Sequence, residues 1–230
     1  MKVFKVFIAI VLFLALSIVL FLRYIHEDKP KGFRPDQADL LAQKMLEALN
    51  HKSYDSIKVL QWEYVRGHAY VWNKSENIVE VKWDDVEVVL NTQDLSGKVI
   101  KNGEPLWDEE KEDYLKKAWK FFTNDSFWLV APFKVNDPGT SRSIVEIEDS
   151  DKHGLMVTYS SGGVTPGDSY LWILDENYRP IAWKMWVDII PVGGLKVEWT
   201  EWKSYKGALF ATNHIGSFGI ELPIRNLKVE

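Results

Sequence analysis

Two hydrophobic patterns divide this chain. From Val6 to Leu22 the residues VFIAIVLFLALSIVLFL carry no charge, and Ser17 supplies the single hydroxyl. As a helix rising about 1.5 Å per residue, this run approaches the ~30 Å hydrocarbon core of a bilayer, with Tyr24 and Ile25 available to lengthen it. From Pro35 onward the pattern becomes amphipathic. Asp36 is placed to cap a helix whose apolar positions Ala38, Leu41, Ala42, Met45 and Leu49 share a face. A second helix is predicted from Glu109 to Phe122, with Tyr114, Leu115, Ala118, Trp119 and Phe122 on one side. Its acidic first turn, followed by Lys116, Lys117 and Lys120, suits the helix dipole.

Most of the remaining sequence alternates with period two. His68, Tyr70 and Trp72 oppose Ala69 and Val71; Val79, Val81 and Trp83 oppose Glu80 and Lys82; Val86, Val88 and Leu90 follow the same rule. Further strands are predicted at 144–147, 155–159, 170–174, 182–187, 195–202 and 208–212, separated by Gly, Asn and Asp turn signals. Aromatics fall on both sides of the 182–187 strand, Trp183 with Met185 against Trp186, so both of its faces are expected to be covered. The pattern predicts a mainly β fold with helices, of the α+β class. The expected architecture is an open antiparallel half-barrel of about ten or eleven strands with helices over its concave face, plus an N-terminal transmembrane helix.

The N-terminal run has a competing reading as a cleaved secretory signal, because Met1, Lys2 and Lys5 form a short basic leader. Cleavage calls for small residues after the apolar core, whereas Ala15 and Ser17 lie within it and Phe21, Leu22, Arg23 and Tyr24 end it. An uncleaved anchor over residues 1–25 is the expectation, followed by a stalk over 26–35 and one folded domain over 36–230. Lys2 and Lys5 on one side balance Arg23, Lys29 and Lys31 on the other, so charge alone does not orient the span. The short leader and long following domain place residues 32–230 outside the cytoplasm.

Composition narrows the functional classes. The net charge is -5, and the acidic cluster Asp108, Glu109, Glu110, Glu112 and Asp113 argues against a nucleic-acid partner. There is no cysteine, which removes both a disulfide framework and a lipidated N-terminal Cys. The five histidines, His26, His51, His68, His153 and His214, show no metal-ligand spacing, and no cofactor is expected. Asp84 and Asp85 point to opposite faces of a strand and read as a turn. Ser160 to Gly163 lacks the strand-turn-helix context of a nucleophile elbow. No catalytic residue is assigned, and a hydrolase with groups gathered from distant strands is the weakest of the readings.

The 11 tryptophans are the chemical signature of the chain. Each could be ordinary core, since aromatics suit a half-buried pleated surface. Alternatively, several line an apolar cavity between sheet and helices. On that reading the lining residues are Trp62, Tyr64, Tyr70, Trp72, Trp83, Trp128, Trp172, Trp183, Met185 and Trp199. Gly162, Gly163 and Arg142 form its rim. The stretches 159–170 and 191–194 read as long hairpin connections or a mobile rim, with Asn136, Asp137 and Thr140 nearby. The apolar stretch NDSFWLVAPFKV, residues 124–135, reads as a connection, with Phe127, Trp128, Leu129 and Phe133 either buried or forming a lid.

The order of a helix, strands bearing G-x-x-x-x-W-x-K-x-x-N from Gly67 to Asn77, an Asn102-Gly103 hairpin ending in Leu106-Trp107, an inserted helix and a second strand series resembles the LolA/LolB outer-membrane lipoprotein carriers. The resemblance implies an incomplete barrel with a helical lid over a cavity for lipoprotein acyl chains, covering residues 36–230. Ser75 stands where the carrier segment W-x-K-R-P-N has its functional arginine. Segments 124–135, 158–177 and 183–194 are also similar to a group of bacterial envelope proteins. The expectation is a non-enzymatic protein in a bacterial inner membrane, crossing once, whose periplasmic domain binds a lipid, acyl chain or lipoprotein moiety. The alternative is a sensory or structural ectodomain that binds another envelope protein and has no open cavity.

Overall fold

The computed structural model describes residues 2–147, 153–161 and 165–230. The apolar run forms α1 (Lys2–Ile25). Among the described residues it contains the one stretch long and apolar enough to cross a membrane, Phe4–Ile25, 22 residues with mean hydropathy 2.9. No residue of its most apolar window is buried in the rest of the chain.

Helix α2 (Pro35–Ala48) buries Ala38, Ala42 and Met45, as its spacing predicts, and Leu46 as well, while the expected Leu41 is half-buried. Its start differs from the expectation. Arg34, in the left-handed region at φ 49, is the N-cap, no side chain caps the helix, and Pro35 opens it. Proline presets the helical φ at this position, so Asp36 serves the dipole from the first turn instead of capping. The short α3 (His51–Ser56) follows.

The strands form two antiparallel sheets of seven and six strands. The first contains β1 (Val59–Tyr64), β2 (His68–Asn73), β3 (Ile78–Trp83), β4 (Val86–Asn91), β5 (Gly97–Lys101) and β6 (Glu104–Pro105) in meander order. After it comes α4 (Asp108–Val130), continued by a 3-10 turn at Ala131–Lys134. The second sheet is again a meander: β7 (Thr140–Glu146), β8 (His153–Tyr159), β9 (Ser169–Leu174), β10 (Pro180–Trp186), β11 (Leu195–Tyr205) and β12 (Ala208–Gly216). The last strand, β13 (Arg225–Val229), returns to the first sheet beside β1.

The expected single half-barrel of ten or eleven strands is therefore corrected to two sheets that do not close into a barrel. The long α4 separates β6 from β7, so no ladder passes between them, and β13 joins β1 instead of extending β12.

Alternation places the core. Val79, Val81 and Trp83 on β3 and Val86, Val88 and Leu90 on β4 are buried, with their intervening residues exposed. They share one core cluster with Leu115, Ala118 and Phe122 of α4 and with Val157, Trp172, Trp183, Val197 and Phe210 of the second sheet. A smaller cluster of Val145, Met156 and Leu171, with Trp186 packed against it, lies on the other side of the second sheet. Both faces of β9 and β10 are thus covered.

The stalk is docked. Glu27 N–H donates to the Gly193 carbonyl at 3.0 Å, the Trp186 indole donates to the Glu27 carbonyl at 2.8 Å, and Lys184 pairs with the Glu27 carboxylate at 2.6 Å. Phe33 and Ile144 exchange backbone hydrogen bonds at 2.9 and 2.8 Å. A Cβ on Gly32 would collide with the Ser143 side chain, so glycine at this position lets the stalk lie close to β7. The exposed ladder of that edge strand is shielded by the chain's own stalk.

Candidate functional site

Helix α4 carries two stripes. Leu115, Ala118, Phe122 and Leu129 face the core. One position around the helix, Trp119, Thr123, Ser126 and Phe127 line a cavity of about 430 Å³. Opposite them, antiparallel pairing sets Met185 across from Tyr170 and Trp183 across from Trp172, so these four side chains share a face. Trp72 of β2 and the segment Val187, Ile189 and Ile190 after β10 complete the apolar wall. The aromatic side of the wall is close-packed: Tyr170 and Trp183 ring centroids are 4.7 Å apart, Phe127 and Tyr170 5.0 Å, and Trp128 and Trp183 5.1 Å.

Polar groups gather at one part of this cavity. Lys134 and Asp137 form an ion pair at 2.5 Å, and Ser161, Thr165 and Asp168 lie near them in the lining. The buried Asp168 carboxylate accepts from the Thr165 hydroxyl at 2.5 Å and the Asp188 N–H at 3.1 Å, which fixes the loop geometry. Burial pushes the Tyr159 and Tyr170 hydroxyls well above the usual phenol range, so both stay protonated donors.

Of the residues read from the sequence as lining, Trp72, Trp128, Trp183 and Met185 meet at this wall. Trp62, Tyr64, Tyr70, Trp83, Trp172 and Trp199 are outside its lining and pack in the core. Trp62 stacks on Tyr70 at 4.7 Å, and Trp172, Trp183 and Trp199 form a triangle with centroids 4.9 to 5.1 Å apart. The indole N–H groups of Trp62, Trp172, Trp183 and Trp199 have no hydrogen-bond acceptor among the described residues. The edge-on Trp172–Trp199 and Trp183–Trp199 contacts set aromatic faces around that triangle.

Arg142 lies apart from the cavity lining: its guanidinium bonds Asp39 at 2.5 Å, the Val135 carbonyl at 2.8 Å and the Thr140 hydroxyl at 2.8 Å, tying α2 to β7. Gly162 and Gly163 lie outside the described residues, but Ser161 and Thr165 on either side line the cavity. The segments 159–170 and 187–190 each contribute lining residues, whereas Gly193 and Gly194 pack against Glu27 of the stalk.

Sequence reasoning left out Trp119, Phe122, Phe127, Tyr170, Ile189 and Ile190 as lining residues. The signal for the helical ones was present as i, i+3, i+4 and i+8 spacing along α4. Tyr170 follows only once the β9–β10 register is known.

Tyr70 has a different duty. Its hydroxyl donates to the Asp125 carboxylate at 2.6 Å, and His68 Nδ1 lies 2.7 Å from the same oxygen. His68 is also stacked on Phe121 at 4.2 Å. This buried cluster pins α4 to β2.

Among the described residues, no group of three His, Cys, Asp or Glu side chains is placed to hold a metal ion. No protein-family model matches this chain, and no curated protein matches it in sequence. The cavity is an aromatic cleft with polar groups gathered at one part of its lining.

Proposed function

We propose that this is a membrane-anchored binding protein that holds the acyl chain of a lipid, fatty acid or lipoprotein between α4 and the β9–β10 hairpin. The observation that carries the reading is the cavity of about 430 Å³ walled by Trp72, Trp119, Phe127, Trp183, Met185 and Ile190. That size lies within the ~300–1,000 Å³ of small-ligand sites. Each methylene moved from water into such a wall contributes about 0.8 kcal/mol before ordering costs. The Lys134–Asp137 pair and the Ser161 and Thr165 hydroxyls offer contacts for a polar head. The likeness to LolA/LolB carriers belongs to this proposal, as do a single-pass anchor through α1, a bacterial inner membrane and a periplasmic domain.

Tryptophans in the wall make the test direct. Energy transfer from them to a dansyl-labelled fatty acid added to the full-length protein should saturate and be reversed by unlabelled oleate. Thr123→Phe, which fills the cavity from a half-buried position on α4, should weaken binding at least tenfold while retaining the wild-type circular dichroism. Equal transfer in the two proteins would exclude this cavity as the binding site.

A second reading, a protein partner in the envelope, is favoured by a different surface. Trp107, just before α4, is 71% exposed, and Val89 and Ile100 of the first sheet are also exposed. Val89 and Ile100 share the outer face of neighbouring strands, and exposed apolar side chains side by side are typical of interaction sites.

A further inference from the structure

The stalk determines where the cavity opens. Helix α1 ends at Ile25, and the next two residues are already bound to the loop after β10. Gly193 N–H donates to His26 Nδ1 at 3.0 Å, and Glu27 N–H donates to the Gly193 carbonyl at 3.0 Å. With about 3.8 Å between consecutive Cα atoms, Gly193 sits within about 10 Å of the end of the span. The headgroup layer on each side is roughly 5–8 Å deep, so Gly193 stands at or near that layer.

A second contact is independent of the stalk. Phe21, inside the apolar run, has its ring 6.1 Å from that of Phe218. Phe218 lies in the tight turn Ser217–Gly219, with φ 66, a conformation that costs a bulky residue energy. Its ring is nevertheless 75% exposed, and Ile220 is 59% exposed beside it. In the loop after β10, Ile189 is 65% exposed while also lining the cavity. Three large apolar side chains are thus unshielded: Phe218 and Ile220 in and beside the turn that meets α1, and Ile189 in the loop that binds the stalk, where it is also part of the cavity wall.

We propose that the segment 187–190 and the turn Ser217–Gly219 rest in the interface of the bilayer that holds α1, so that the cavity opens onto that membrane and receives its acyl chain laterally from it. This rests on the membrane-anchored binding reading above and names the source of its ligand. An acyl chain entering this way avoids transit through water, the step that makes lipid exchange slow. The exposed Asp188 confines the loop to the interface, since a carboxylate does not enter hydrocarbon.

The absence of cysteine from the chain makes site-specific labelling clean. Ile189→Cys, Phe218→Cys and, as control, Glu176→Cys are labelled with the fluorophore NBD in the full-length protein. Glu176 lies in the exposed turn at the other end of the β9–β10 hairpin, about 20 Å along the strands. Each labelled protein is reconstituted into vesicles of phosphatidylcholine and phosphatidylglycerol, with and without lipid carrying a nitroxide near the headgroup. The expected result is strong nitroxide quenching at 189 and 218 and none at 176. Quenching at 189 and 218 no greater than at 176 overturns the proposal, including the case in which a protein partner or second copy shields these positions instead. Lipid occupancy measured by mass spectrometry on the same samples reports separately on the cavity, so an occupied cavity with unquenched labels defeats only the membrane-facing mouth.

Discussion

His214 is a fully buried imidazole on β12, 4.4 Å from Trp199 by ring centroid. Its Nδ1 lies 3.0 Å from the Leu222 carbonyl, which only accepts, so Nδ1 carries the proton. Burial pushes its pKa down to about 4 against the partial support of that carbonyl. Between about pH 6.5 and 4 the unfolded chain binds a proton here that the folded chain refuses, so stability falls as pH falls and is unaffected above about 7. Wild-type protein should lose about 3 kcal/mol more than His214→Gln between pH 7 and 4 in denaturant titrations. Parallel profiles would show that His214 is accommodated as a cation. At this scale the sequence is partly legible. Alternation correctly buries Val79, Val81 and Trp83, because strand geometry alone assigns their face. It does not distinguish Trp183 from Trp172: the two are register partners on one face, yet only Trp183 reaches the cavity. Which neighbour stands in front of a ring depends on the whole fold.

Helix α4 shows why element boundaries are harder. Asn124, Asp125 and Ser126 read as a connection because such side chains compete with the backbone for hydrogen bonds. The helix nevertheless continues to Val130. Thr123 bonds back to the Trp119 carbonyl at 2.8 Å, and the Asp125 carboxylate is engaged by Tyr70 and His68. Tertiary partners override the local preference, and the extra turns carry Phe127 and Trp128 into the cavity wall. Asp125→Ala should therefore cost about 3–5 kcal/mol in chemical denaturation, since it strands the His68 and Tyr70 groups in the interior. Tyr70→Phe, which leaves the His68–Asp125 contact in place, should cost only about 1–2 kcal/mol. Equal small losses in both variants would mean that water replaces the pair and that α4 is held by packing alone. The stalk teaches a related lesson. Pro30, Gly32 and mixed charge look like a free linker, whereas Gly32 is the residue that permits close docking on β7.

At the scale of the molecule, strand content and the α+β class were readable, but the division into two sheets was not. A meander predicts each neighbour in turn; nothing local says that β6 ends the first sheet or that β13 returns to β1. The consequence for function is that the cavity lies between α4 and the second sheet, with Trp72 reaching in from the first. Trp62, Tyr70 and Trp83 instead consolidate the packing of α4 on the first sheet. The stalk and the loop after β10 are bound together beside the apolar helix α1, and that loop contributes Ile189 and Ile190 to the cavity lining. The most direct measurement of the central claim is native mass spectrometry of the full-length protein released from membranes into a lipid-free detergent, with extraction and identification of any retained lipid. The expected result is a near-stoichiometric acyl species in the wild type that is depleted in Thr123→Phe. A clean unliganded mass that also resists loading with fatty acid and phospholipid would contradict it.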